Sequence, residues 1–311
     1  MSSTGFLVEV DGLRKQFGSV LAVRDLTLHI PKGGVFGLLG PNGSGKTTTI
    51  GLILGLIRPT AGSIRLFGSD VRSTHLAALR RIGAMVEAPA FYPDLSGRAN
   101  LRFFQGIGRH TDDAGEVQRL LQMVGLAERA ESKFRTYSLG MKQRLGIAYA
   151  LLGKPELVFL DEPTNGLDPA GMAEVRELIE QLGKAGHTVV LSSHLLNEVE
   201  QLCDHVAILS RGALLAQGSV RELLNTQGSV RVKTTDDVRA EKILGALDWV
   251  SSLRTEDGYL VLGCAAERSG ELTRELSRQE IFVTEMVPRR QSLESYFLEV
   301  TGHEAAQAKA Y

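Results

Sequence analysis

The segment Gly40-Pro41-Asn42-Gly43-Ser44-Gly45-Lys46-Thr47 fits G-x-x-x-x-G-K-[ST] at every fixed position, and it constrains the fold more than any other part of the chain. A short apolar run, Val35 to Leu39, precedes it and reads as a buried strand bounded by Gly33 and Gly34. A helical pattern follows from about Lys46 to Leu56. Strand, glycine-rich loop and helix, in that order, are the context in which this motif cradles phosphate. The glycines let successive backbone N–H groups turn into one concavity, and the helix N-terminus adds partial positive charge. Lys46 brings a full charge to the β- and γ-phosphates, and the Thr47 hydroxyl is placed to ligate Mg²⁺. Gly40, Pro41, Asn42, Gly43, Ser44, Gly45, Lys46, Thr47 and the adjoining Thr48 are therefore the candidate nucleotide contacts.

A metal needs a second anchor. Leu157-Val158-Phe159-Leu160-Asp161-Glu162 reads as a hydrophobic strand carrying Asp161 to its C-terminal end, where ligands gather in open α/β sheets. Asp161 is the expected Mg²⁺ ligand. Glu162, one residue on, is placed to accept a proton from an attacking water.

Further short apolar strands (Phe6–Val10, Leu26–Ile30, Ile64–Phe67, Thr188–Ser192, Val206–Leu209) alternate with helical patterns at Gly140–Leu152, Ala170–Leu182 and Asn197–Asp204. Arg14–Gly18 reads as a loop, and 76–125 as mostly helical, broken by Pro89 and Pro93. This alternation predicts an α/β domain over 5–225 with a largely parallel sheet, and a helical subdomain at about 88–152. A composition change near Thr226–Ser229 opens a second region, 228–298, patterned strand-helix-strand-strand-helix-strand, a small α+β unit. The polar, alanine-rich tail, 299–311, is expected to be flexible.

The 311 residues are 43% apolar, enough for a sizeable core. A net charge of −1 provides no global attraction to nucleic acid, and no nucleic-acid partner is expected. Cys203 and Cys264 lack metal-ligand spacing and fit a reducing compartment. The first ten residues have no basic stretch followed by an apolar run, so no signal peptide is expected. No run approaches the ~18 apolar residues of a membrane-spanning helix, so work at a membrane would need another chain.

Downstream of the phosphate loop lies Tyr137-Ser138-Leu139-Gly140-Met141-Lys142-Gln143-Arg144, which resembles the signature of the ATP-binding-cassette (ABC) family, usually Leu-Ser-Gly-Gly-Gln. Gly166-Leu167-Asp168 looks like the family's D-loop, and His194 like its switch histidine. The resemblance covers roughly residues 5–222. It implies a P-loop ABC ATPase domain with a parallel-sheet core, an antiparallel β subdomain and a helical subdomain, followed here by the accessory α+β unit. It implies ATP and Mg²⁺ as cofactors, Phe17 stacked on adenine, and Glu87 at the position where the family usually has a metal-site glutamine. It also implies Glu162, His194 and Lys46 as the catalytic group. Ser138, Gly140 and Asp168 would meet a nucleotide held mainly by a second, head-to-tail copy.

Two departures stand out: Leu139 and Met141 replace a glycine and a glutamine of the signature, and Glu87 replaces glutamine. These variations, with Glu87-Ala88-Pro89-Ala90-Phe91-Tyr92-Pro93, are similar to ABC-2-type bacterial exporters of the bacitracin and daunorubicin kind. The implied function is an ATPase that powers drug export through a separate multi-span membrane permease, bound at the cytoplasmic face of the cell membrane. The aromatic stretch from Phe91 to Phe104 is expected to be mostly core, with part of it facing the permease. The alternative is a soluble repair or translation ATPase, but such proteins carry tandem cassettes, coiled coils or zinc inserts, and this chain has none of these. A regulatory module with little catalysis is disfavoured by the presence of both Glu162 and His194. A GTPase is disfavoured because no Asn-Lys-x-Asp segment occurs.

Overall fold

The computed structural model describes residues 5–87, 90–108, 113, 115–225, 229–289, 292–298 and 301. The expected start of the helical subdomain at Ala88, and all of the expected tail except residue 301, lie outside the described residues. The chain divides into two compact units, Met1–Gln217 and Gly218–Tyr311.

The first unit is built on a six-stranded sheet of order β10-β9-β3-β8-β7-β6. Its centre is β3 (Gly34–Leu39), paired in parallel with β8 (Thr188–Ser193) and β9 (His205–Ser210). From β8 the sheet continues, still parallel, through β7 (Leu157–Asp161) to β6 (Ile82–Met85). The other edge is β10 (Ala213–Ser219). Every residue of β7 and β8 is buried, the pattern of strands covered on both faces. A second sheet, order β2-β1-β4-β5, is antiparallel and comprises β1 (Phe6–Phe17), β2 (Val20–Pro31), β4 (Ala61–Leu66) and β5 (Ser69–Asp70). Leu13, Leu28 and Ile30 of this sheet share one core with Ile50 of α1 (Lys46–Ile53) and with Phe36, Leu38 and Phe159 of the parallel sheet. The phosphate loop therefore leaves a central strand and enters a helix clamped between two sheets.

The remaining helices of this unit are α2 (Val71–Leu79), α3 (Gly97–Ile107), α4 (Glu116–Met123), α5 (Leu139–Ala150), α6 (Pro169–Lys184) and α7 (Leu196–Leu202). Several start where the sequence supplies a cap: Asp70, Ser96, Ser138 and Asp168 each accept a backbone N–H from the first turn of the helix they precede.

Three expectations are corrected. The helical reading of 76–125 hid β6, whose four residues Ile82-Gly83-Ala84-Met85 are too short and too directly joined to α2 for periodicity to separate. The loop expected at Arg14–Gly18 is mostly strand, since β1 reaches Phe17 and β2 begins at Val20. This outer end of the hairpin is exposed and carries register shifts, so it has neither apolar alternation nor a turn signal until Gly18. The aromatic stretch is only partly core. Leu101 is buried and Phe91 and Phe104 are partly buried, but Tyr92, Leu95 and Phe103 are exposed.

The second unit contains α8 (Val220–Asn225), then β11 (Ser229–Thr234), α9 (Asp237–Gly245), β12 (Ser252–Glu256), β13 (Tyr259–Gly263), α10 (Ser269–Ser277) and β14 (Val283–Arg289). The strands form an antiparallel sheet of order β12-β13-β11-β14. Val230, Val232, Leu260 and Leu262 on one face pack against Ala240 and Leu244 of α9 and Leu272 and Leu276 of α10. Cys203 and Cys264 are free and buried, and burial pushes both thiols above their ordinary range.

Candidate active site

A cleft of about 640 Å³ opens over the phosphate loop, lined by Asn42, Gly43, Gly45, Lys46, Thr47, Thr48, Glu162, Asn165 and His194, together with Val20, Leu21, Ala22, Arg24 and Arg211. The loop's curvature needs its glycines: Gly43 and Gly45 lie at φ 80° and 101°. A Cβ on Gly45 would stand 2.8 Å from the Ala22 carbonyl oxygen. Gly45 precedes α1 without a side-chain cap, so the amides of the first turn have no partner within the helix and face the cleft as donors.

Lys46 is buried at 5% exposure. Its Nζ donates to Gly40 O at 2.8 Å and lies 3.2 Å from Glu162 Oε1. Glu162 Oε2 in turn accepts from His194 Nδ1 at 2.8 Å. One carboxylate thus joins the loop lysine on α1 to the histidine after β8. Glu162 has φ 47°, a strained conformation for a residue with a side chain and one that recurs at functional sites. Thr47 Oγ1 donates to Asp161 Oδ1 at 3.2 Å. A hydroxyl and a carboxylate together are the hard oxygen donors that suit Mg²⁺.

The structure also reveals a residue that the sequence reading did not single out. Ser192, fully buried, donates through Oγ to Asp161 Oδ1 at 2.5 Å and accepts from Glu162 N at 2.8 Å. It fixes both acidic residues from the neighbouring strand. Its only trace in the sequence is a polar residue ending an apolar run, which strand ends commonly show. Replacing Ser192 with Ala removes one donor and one acceptor from a buried site, a cost of about 1–3 kcal/mol. We expect the variant to lose ATP turnover out of proportion to any loss of ATP affinity, measured as kcat and as Kd. Unchanged kcat at saturating ATP would reduce Ser192 to a structural role.

Other expected site residues lie elsewhere. Phe17 is 47% exposed, with Lys15 Nζ 4.6 Å from its ring centre, and does not line the cleft, although Val20, opposite it in the hairpin, does. Glu87 is exposed, has φ 61°, and is outside the cleft. Among the described residues no three His, Cys, Asp or Glu side chains converge as metal ligands. Ser138, Gly140 and Asp168 are also outside the cleft; Ser138 and Asp168 are exposed at the starts of α5 and α6.

Residues 23–165 match the family model described as ABC transporter. The chain is 36% identical over 299 residues to the bacitracin transport ATP-binding protein BcrA of Enterococcus faecalis, covering 96% of this chain and 97% of that one. It is 38% identical over 300 residues to the BcrA of Bacillus licheniformis, covering 95% and 97%. A solved structure of the ATP-binding subunit of an ABC transporter superposes with a TM-score of 0.62 at 31% identity, over 70% of this chain and 91% of that one. The chain belongs to the ABC transporter family. As a member it binds and hydrolyses ATP as the ATP-binding subunit of a transporter. Such a subunit works with a membrane permease. Among the described residues of this ABC subunit, no helix is long and apolar enough to cross a membrane.

Proposed function

We propose that this ABC subunit powers export of drug-like molecules through a separate permease, working at the cytoplasmic face of the membrane as one of two head-to-tail copies. The observation that carries the reading is the split of the expected site. Lys46, Thr47, Glu162 and His194 line one cleft, whereas Ser138, Gly140 and Asp168 do not line it, and Ser138 and Asp168 are exposed. A second copy related by a two-fold axis would bring its Ser138 and Gly140 over the nucleotide, each chain completing the other. The relatives named for bacitracin transport favour an export role and a drug-like cargo.

Within each half, Lys46 and the first-turn amides of α1 hold the β- and γ-phosphates, and Phe17, which does not line the cleft itself but pairs with Val20, which does, is assigned to adenine. Glu162 takes a proton from the attacking water, and His194 keeps that carboxylate oriented. Thr47 and Asp161 would hold Mg²⁺, which when bound neutralises phosphate charge. Closure of the pair on ATP and its opening after hydrolysis shift the permease between states.

The permease contact is assigned to the helical part of the first unit. Tyr92, Leu95, Phe103 and Ile107 are exposed beside a pocket of about 210 Å³ lined by Met85, Phe91, Phe104 and Tyr149. An exposed apolar patch of this kind marks a surface that meets a partner. The test is capture from detergent-solubilised native membranes with the full chain as bait. Recovery of a multi-span membrane protein with the unaltered chain, and its loss with Phe103→Ser, supports the reading. Capture of nucleic acid or ribosomes instead would return the chain to the soluble class of ABC ATPases.

A further inference from the structure

The cleft has a cationic wall that the phosphate-loop chemistry does not use. Arg24 and Arg211 both line it, both are exposed, and neither is in an ion pair among the described residues. Their backbones are fixed at one three-way junction. Arg24 N donates to Gly212 O at 2.7 Å, and Gly212 N donates to Ser44 O at 3.0 Å, which ties β2, the β9–β10 turn and the phosphate loop together. Gly212 sits at φ 82°, where a Cβ would stand 2.7 Å from Ala22 O, so the turn lies directly on the strand edge. Val20, Leu21, Ala22 and Arg24 of β2 all line the cleft, whereas Val23 is buried in the core. Arg24 therefore extends the wall begun by Val20 and Ala22, and Arg211 faces the cleft from the adjoining turn.

We propose that Arg24 and Arg211 form a pair of binding residues for the sugar and α-phosphate half of the nucleotide, the part not transferred in hydrolysis. Lys46, Glu162 and His194 bond to one another and are assigned to the γ-phosphate, and neither arginine is tied into that group. Guanidinium groups suit phosphate oxygens because two parallel N–H donors meet two acceptors. Unpaired arginines held at a cleft also attract a polyanion before it docks. This inference rests on the nucleotide reading of the cleft and adds to it the residues that grip the non-reacting half.

The test is calorimetric titration of the purified full chain with ATP and with ADP. The variants are Arg24→Gln, Arg211→Asn and the double variant; asparagine is used at 211 because Arg211 lies at φ 47°, a conformation Asn tolerates. Each single variant is expected to raise Kd for ATP and for ADP by about tenfold and by similar factors, as for one lost charge-assisted contact. The double variant should also show weaker dependence of Kd on salt. Unchanged Kd values in the double variant, with ATP bound normally by the unaltered chain, overturn this proposal alone. A loss confined to ATP also overturns it, since it would place the arginines at the γ-phosphate. Failure of the unaltered chain to bind ATP overturns both this proposal and the nucleotide reading.

Discussion

Glu162→Gln is expected to bind ATP with near-normal affinity while its steady-state hydrolysis falls by a factor of about 10²–10⁴, the range for loss of a positioned general base. The substitution keeps the volume and the hydrogen-bonding reach of the side chain and removes its charge. Two neighbours register that loss. Lys46 Nζ, 3.2 Å from Oε1, loses its ion pair and keeps an acceptor only if the single amide oxygen faces it. His194 Nδ1, 2.8 Å from Oε2, keeps an acceptor only if the amide presents its oxygen there. Binding should therefore hold or tighten, because a negative charge leaves a cleft that receives a polyanion. Turnover should fall because an amide is no base. The measurements are Kd by titration, phosphate release under saturating ATP, and the oligomeric state with ATP present. A variant that binds but does not hydrolyse is expected to accumulate as the closed pair of copies. Turnover like that of the unaltered chain would remove Glu162 from the role of base.

The parts of this site that could be read in the sequence are those in which chemistry forces both residue type and spacing. A backbone that curls around phosphate needs glycine at fixed positions, and Gly43 and Gly45 hold the positive φ angles that this demands. Strands buried on both faces are unbroken apolar runs, so β3, β7 and β8 were legible and the residues at their ends could be placed. The elements that were missed have an equally physical reason. β6 is an edge strand of four residues whose composition suits a helix as well as a strand. The outer half of the β1–β2 hairpin is stabilised by pairing and not by burial, so its residues carry no alternation. Ser192 acts through two hydrogen bonds to residues about thirty positions away, and Arg24 and Arg211 come to one cleft because Gly212 docks on β2. Contacts of that kind leave no local period, and only the folded chain reveals them.

β6 also carries the stability prediction with the largest expected effect. A Cβ built on Gly83 would fall 1.6 Å from the Ala150 carbonyl oxygen and 3.1 Å from Pro155 Cγ. The nearest obstacle is backbone at the C-terminal end of α5, so no side-chain rotation relieves it. Either the helix lifts from the sheet or β6 loses its pairing with β7, and overpacking of this kind costs about 1–3 kcal/mol or more. Gly83→Ala is thus expected to lower the thermal unfolding midpoint of the full chain by several degrees, with the accumulation of insoluble protein as the extreme outcome. Gly106→Ala is the matched control: it adds the same methyl group near the end of α3, where nothing lies within 4 Å, and should stabilise by about 0.5–1 kcal/mol through helix propensity. Opposite signs for the two glycines would tie the first effect to the seat of α5 on the sheet. Because Ser138 caps the start of α5, moving the helix's far end would also displace the face that the proposed pairing presents to a second copy, so a soluble Gly83→Ala chain should pair poorly in ATP even where its own cleft still binds nucleotide. Equal midpoints for Gly83→Ala and the unaltered chain would mean that α5 does not sit on β6 as closely as the structure places it.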